Sequence, residues 1–499
     1  MNTKYPKTQT LEICIKDFQN GLDTDTAENI TNFDTSVNCF NFDYNSGALT
    51  ESLGFEDLTI PSTTEDDSAE LKPQMQDNVS YIKIGTYKQF DTTENKRTDK
   101  LIAITTDKKV HFCRLVTQYP AMLNLDDKTF NEIPNLLNHN DGTKDCILFT
   151  SESDGVNSWD DFTETRNYPN MPVVSNICNF KERTFITLGG EKLVIRTQAG
   201  NLLTWQSEDF LGVVTVTLDG ERGSINKLLN MDDYMYAIRD YGISRIMWYE
   251  SLQEYDVNHL LFSGGKIYGE TACCCGKTGL VLCKDGLYQF DSVNAKKLDL
   301  KLNSMFKGVS NQHAVAIFRN GVYYLACRLN FDDDQTIGCE TENYKNNALI
   351  AYDISTEKYT ITRGVDIASF CAVHFESNDK LLACFNTVYG TKIGQLVEDG
   401  KMFGIEQTKY WRSPLTDLGY SNKEKSIKEI SLLSKYDANV TVFTEKEKRE
   451  FFVKGSDILS KFPVRIKGKQ VGISISSNTE KAFISNFKLT VDLLDTEYV

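Results

Sequence analysis

The chain has 499 residues, 54 of them basic and 70 acidic for a net charge of −16, with 40% hydrophobic and 11% aromatic residues. This length allows two or three domains with a well-buried core, and the acidic balance argues against a dedicated nucleic-acid-binding face, which needs basic residues to displace counterions. No apolar run reaches the length of a membrane span, and the opening MNTKYPKTQTLEICIKDF lacks the apolar core of a secretion signal, so neither membrane insertion nor export is expected.

Residues 1–75 read as an N-terminal strand segment followed by a linker. Within them NCFNFDYNSGALTESLGF (38–55) has the apolar alternation of strands, whereas residues 56–80 are rich in Ser, Thr, Asp and Glu and read as an exposed loop. Residues 76–403 carry a recurring pattern. LIAITTDKKVHFC (101–113) and KDCILFTSESDG (144–155) are hairpin-like, and five later segments each set a polar turn before an alternating strand: KERTFITL, DDYMYAIR, KDGLYQFD, RNGVYYLAC and NDKLLACF. Their fifth residues, Phe185, Tyr236, Tyr288, Tyr323 and Leu382, lie 51, 52, 35 and 59 apart, close to the period of a four-stranded unit repeated about an axis. A unit of this kind buries its faces only against neighbours, so the ring must close, and the N-terminal strand is available to complete its last member. Residues 404–499 read as six to eight short alternating strands, which suits a β-sandwich. The expected fold is therefore all-β: a six- or seven-bladed β-propeller (76–403) followed by a C-terminal β-sandwich, with no long amphipathic helix.

Several motifs within this frame invite chemistry. ETACCCGKTGLVLCKDGLYQFD (270–291) contains Gly276-Lys277-Thr278, the tail of a phosphate-binding loop, but Thr271 stands where the loop needs its first glycine and β-rich sequence follows where a helix must open. A metal is no better served. Adjacent cysteines on an extended chain point to opposite faces, so only Cys273 and Cys275 share one, and Cys283 sits in an apolar run. These read as small core hydrophobes on a strand before an Asp285-Gly286 turn. The thirteen cysteines, an odd number scattered through strand-like runs, read as free thiols folded in a reducing cytosol. The five histidines (His111, His139, His259, His313, His374) are far apart, and no Ser-His-Asp or Cys-His grouping follows from spacing. Asp332-Asp333-Asp334 lacks the alternation and glycine of a calcium loop and reads as a solvated turn. SESDGVNSW (151–159) resembles the Asp-box turn of sialidase blades, with Asp154 and Gly155 adjacent where that motif has a residue between them. Trp159, Trp205, Trp248 and Trp411 read as core rather than interface. No catalytic, cofactor-binding or metal-binding residue is assigned.

Taken in order, NFDYNSGALTESLGF (41–55), ICNFKERTFI (177–186) with LLTWQSEDF (202–210), INKLLNMDDYMYAIRDYGISRI (225–246) and YWRSPLTDLGYSNKEKSIKEISL (410–432) resemble the β-propeller tail proteins of bacteriophages, including the nozzle or packaged-DNA stabilisation proteins of short-tailed phages. Residues 56–80 and 328–347 have no counterpart in that pattern. The resemblance implies a non-enzymatic virion protein of the tail, assembled in the bacterial host cytoplasm. It would repeat as a ring of six copies docked between a portal-adaptor assembly and distal tail proteins, and DNA would pass in transit without specific binding. A mildly acidic conduit wall would repel the DNA backbone and keep the genome from sticking. The alternative is a glycan- or receptor-binding tail module, with a propeller glycoside hydrolase behind it; the latter needs two facing carboxylates.

Overall fold

The computed structural model describes residues 9–58, 80–91, 95–114, 123–140, 144–161, 165–168, 174–181, 183–188, 193–196, 214–249, 254–331, 333, 335, 337, 340, 343–375, 378–386 and 393–494. The protein is all-β; among these residues the helical content is one four-residue α-turn, Asn303–Phe306, and two short 3-10 turns.

Six antiparallel meanders of four strands follow one another in chain order. Sheet one runs from Tyr81–Asp91 to Leu123–Thr129, sheet two from Asn135–Asn140 to Arg166–Asn167, and sheet three from Asn176–Phe180 to Val214–Thr217. Sheet four runs from Ile225–Met231 to Glu254–His259, sheet five from Cys273–Cys275 to Ala295–Lys297, and sheet six from Val315–Arg319 to Lys358–Arg363. Sheet seven takes Ile367–Phe375, Asn378–Phe385 and Ile393–Val397 from the same run, and its fourth strand, Gly54–Asp57, comes from the N-terminal segment. That strand pairs antiparallel, Gly394 against Asp57 and Val397 against Gly54. The first strand of each sheet packs against the first strand of the next, and Ile367–Phe375 packs back on Tyr81–Asp91, so the seven sheets form a closed ring.

The polar turns that recur in sequence are the tight links between first and second strands. They close at Arg183, Tyr234, Thr278, Val322 and Asn378, at spacings of 51, 44, 44 and 56 residues. Several place a residue in the left-handed region, as two-residue hairpins with the right twist demand: Lys181 at φ 46°, Asp232 at 57°, Gly276 at 78° and Asn320 at 50°. One expectation is corrected here. KDGLYQFD leads the third strand of its sheet, not the second, which is why the interval that follows it is only 35 residues. Both links of sheet five are two-residue turns: Gly276-Lys277 joins Cys275 to Thr278, and Lys284-Asp285, rather than Asp285-Gly286, joins Cys283 to Gly286. The three cysteines are therefore the innermost strand, and a strand rather than a helix follows Lys277. Their side chains alternate as an extended chain requires, Cys273 and Cys275 packing on one apolar cluster and Cys274 on another. All described cysteines are free thiols.

Beyond sheet seven, the chain joins with the N-terminal segment in two further sheets. One orders Phe42–Asp43, Leu49–Glu51, Phe483–Leu494, Glu424–Ser434 and Ser460–Gly468, with Gln9–Ile15 also on Phe483–Leu494. The other orders Asn38–Phe40, Lys409–Arg412, Val471–Ser477, Ala438–Thr444 and Lys448–Val453. Their inward residues, among them Ile427, Ile430, Val440, Val442, Ile473, Phe487 and Leu489, form one buried cluster that continues onto sheets five and six. Residues 38–57 thus touch three sheets in turn. Asn41, at φ 60°, sits at the crossing; its side chain donates to the Thr408 carbonyl and accepts from the Arg363 amide.

Trp159 and Trp411 are buried, Trp159 beside Tyr87 and Phe112 and Trp411 edge-on to Phe18. Trp248 lies against Tyr255, while Trp205, LLTWQSEDF and most of the 56–80 loop fall outside the described residues. Asp333 corrects the reading of its acid run as a solvated turn, since its carboxylate is buried against Arg363 at 2.9 Å. Arg363 also holds Glu340 at 2.8 Å and lies over the rings of Phe40 and Phe331. Its buried guanidinium requires carboxylate partners, which draws Asp333 inward. Asp332 and Asp334 lie outside the described residues.

Candidate functional site: the central channel

The inner strand of each sheet has a neighbouring sheet on either side but, among the described residues, no backbone partner across those seams, and polar side chains bridge several of them. In sheets one to four they sit three residues apart: Lys83 and Thr86, Asn135 and Asn138, Asn176 and Asn179, Lys227 and Asn230. Successive side chains on a strand point to opposite faces, so an odd separation sends one to each neighbour. The first of each pair reaches forward round the ring. Lys83 Nζ donates to Asn135 Oδ1 at 3.1 Å, Asn135 to the Ser175 carbonyl at 2.7 Å, Asn176 to the Ile225 carbonyl at 3.2 Å, and Lys227 to the Glu270 carbonyl at 3.5 Å. The second reaches back. Thr86 donates to the Ala372 carbonyl at 2.7 Å, Asn138 to that of Thr86 at 2.8 Å, Asn179 to that of Asn138 at 3.1 Å, and Asn230 to that of Asn179 at 2.7 Å. Sheets six and seven are joined from a loop instead: Asn346, just before the third strand of sheet six, donates to the Ile367 carbonyl at 2.8 Å.

Inside this ladder lies a cavity of about 470 Å³ lined from all around the ring. Among the described residues its charged lining is Lys83, Lys88, Lys227, Arg319 and Glu270, four cations to one carboxylate in a chain of net charge −16. Burial pushes the Lys83 ammonium below the usual lysine range; the Glu270 carboxylate opposes that and Lys227 adds to it. Arg319 is paired with Asp379, which also meets His374 Nδ1 at 3.0 Å.

The structure also assembles a grouping that spacing did not reveal. Ser244 and His259 face each other on adjacent strands of sheet four, Ser244 Oγ lying 2.9 Å from His259 Nδ1, and His259 Nε2 lies 2.8 Å from Asp219. The chemistry of a nucleophilic triad does not follow. Ser244 is 0% exposed, and the Asp219 carboxylate is shared with Arg222 and with the buried Arg239, which also bonds the carbonyls of Gly223 and Asp219. Burial lowers the pKa of His259, Arg222 lowers it further, and Asp219 works against both. The cluster pins the crossing between sheets three and four.

The remaining histidines are spread out: His111 meets the Tyr81 hydroxyl at 3.0 Å and His313 sits beside Gln312, while His139 is buried. Asp154 folds its carboxylate back on the N–H groups of Asn131 and Glu132 and the Ser151 hydroxyl, which makes it a turn brace. Among the described residues no group of three or more His, Cys, Asp or Glu could hold a metal, and no helix is long and apolar enough to cross a membrane.

No family model matches the chain, and no curated protein matches it. Among solved structures it is similar to the crystal structure of the N-terminal domain of Nup159, at 9% identity and a TM-score of 0.40, over 69% of this chain and 95% of that one.

Proposed function

We propose that the chain is a seven-bladed β-propeller fused to a C-terminal β-sandwich, and that it serves as a non-enzymatic structural subunit of a bacteriophage tail. Copies would repeat as a ring of six between a portal-adaptor assembly and distal tail proteins. One observation carries the architectural half of this reading: residues 38–57 join both C-terminal sheets and then supply the closing strand of the ring. Such a thread makes the two parts one body, as a load-bearing subunit requires. The tail half rests on the ordered sequence resemblance. A cavity of about 470 Å³ does not pass a DNA duplex, so the conduit would run between copies, walled by the acidic exterior of a chain of charge −16.

Exposed Tyr436, in the turn after Glu424–Ser434, and exposed Phe452, on Lys448–Val453, favour the alternative, a glycan- or receptor-binding tail module. A glycoside hydrolase is less well served, since among the described residues Glu270 is the one carboxylate lining the central cavity and hydrolysis needs two. Light scattering and negative-stain imaging of the purified chain test the reading. Closed rings with an acidic bore are expected; a monomer at every concentration that captures a glycan, or a ring with a basic bore, would overturn it.

A further inference from the structure

We infer that the central channel is a binding site for a small phosphate-type oxyanion, held between Lys83 and Lys227. The two lysines stand on sheets one and four, on different sides of the ring, and both line the same cavity. Neither forms an ion pair among the described residues. Lys83 spends one of its three N–H donors on a neutral amide oxygen, at 3.1 Å, and Lys227 makes a single long contact of 3.5 Å with a backbone carbonyl. Burial disfavours the charge on Lys83; Arg319 is already met by Asp379, and among the described lining residues Glu270 alone offsets the charges of Lys83, Lys227 and Lys88. An uncompensated positive charge walled by low-dielectric strands is costly, and an anion placed between the two ammonium groups removes that cost.

Size and charge narrow the class. The volume is that of a small-molecule site, and it is continuous with the exposed Lys88 at one margin. A monovalent carboxylate would leave part of the excess standing, and a neutral sugar would leave all of it. A phosphate group brings more than one negative charge and several acceptor oxygens, and lysine meets it as a point charge without fixed fork geometry. The chemistry is the same whether the group is free or is the terminal phosphate of a larger molecule.

The test is calorimetry and thermal unfolding of the full chain with inorganic phosphate, adenosine monophosphate, acetate and chloride at one fixed ionic strength. Phosphate is expected to bind once per chain and raise the unfolding temperature above that in acetate or chloride. Tighter binding of the monophosphate would identify a ligand-borne group, and binding no tighter than phosphate the free ion; either outcome supports the site. Lys227→Gln, which gives up only the long carbonyl contact, should weaken phosphate at least about tenfold, the loss of one charge-assisted hydrogen bond. Lys83→Met should weaken it further, but it also removes a seam contact, so Lys227→Gln is the deciding variant. Lys428→Gln, on the C-terminal sheets, should have no effect. Equal stabilisation by acetate and phosphate, or undiminished phosphate binding in Lys227→Gln, would overturn the inference.

Discussion

Asn138→Ala tests whether side chains, rather than apolar packing alone, hold the seams between inner strands. Asn138 replaces a missing backbone partner twice over: its amide donates to the Thr86 carbonyl at 2.8 Å, and its oxygen accepts the Lys88 amide at 2.7 Å. A neutral hydrogen bond contributes about 1 kcal/mol net, so losing both should lower the local opening energy of this seam by about 2 kcal/mol. Local opening governs amide exchange, and 2 kcal/mol corresponds to roughly thirty-fold faster exchange at Lys88. Hydrogen-deuterium exchange by mass spectrometry reads this on peptides covering 81–91, with Asn258→Ala as control because its amide bonds only Asp256 on the outermost strand of sheet four. Asn179→Ala should move the effect one seam on, towards 135–140, since it donates to the Asn138 carbonyl. If exchange in 81–91 stays within about twofold of the parent in Asn138→Ala, the ladder is a consequence of ring closure and not a cause of it.

Asp219→Ala strands the buried guanidinium of Arg239 with carbonyl partners only and should cost about 3 kcal/mol, more than Arg239→Met, which removes the charge itself; the order of their unfolding temperatures checks this. Ser244, sealed in its strand, should resist a fluorophosphonate probe, and labelling that disappears in Ser244→Ala would show that the sheet opens to substrate. Gly54→Ala would drive a Cβ into the Lys401 carbonyl oxygen, against backbone that cannot yield cheaply, so about 1–3 kcal/mol of strain should appear as faster exchange across 54–57 and 393–397. Partial burial pushes the Asp154 carboxyl up, but bonds from Asn131, Ser151 and Glu132 outweigh it and hold the pKa below the usual 3.8. A depressed folded-state pKa gives stability that is present above the unfolded value and lost as pH falls through the folded one. The margin of the parent over Asp154→Ala should therefore be full at neutral pH, begin to shrink near pH 4 and be lost only below the depressed folded-state pKa, and a margin that grows on acidification would contradict the assignment.

Polar turns before alternating strands were readable because hairpin links need left-handed residues, and Asn320 and Asp232 supply them at visible intervals. The same rule misled in sheet five. Gly276-Lys277 and Lys284-Asp285 both close two-residue turns within one short sheet, and a three-residue inner strand of cysteines leaves no alternation to mark it. The seam ladder was present in the sequence as NLLN at 135–138 and NICN at 176–179, yet polar residues three apart look like interruptions when apolar alternation is the signal sought. Ser244, His259 and Asp219 converge through strand register and a loop crossing, neither of which spacing encodes. Asp333 was misread because a run of acids is normally solvated; the Arg363 that draws it inward lies thirty residues on.

Ring closure and attachment of the C-terminal sheets are coupled through one segment, residues 38–57. Pairing 54–57 with 394–397 closes a loop of some 340 residues, at an entropic cost of about 5 kcal/mol before any constant term. Four ladder positions and the burial of Phe55 against Phe385 offset that only in part. The neighbouring pairings, Asn38 to Phe40 with Tyr410 to Arg412 and Leu49-Thr50 with Phe483-Ile484, close loops that share nearly all of the same span, so they add contacts with little further entropy to overcome. The Arg363 cluster and the Asn41 bridge lie at the point where these pairings meet sheet six. A thread that made only the ring contact would be marginal. One that serves three sheets at once lets each stabilise the others, and this is the physical reason for treating the ring and the C-terminal sheets as a single body.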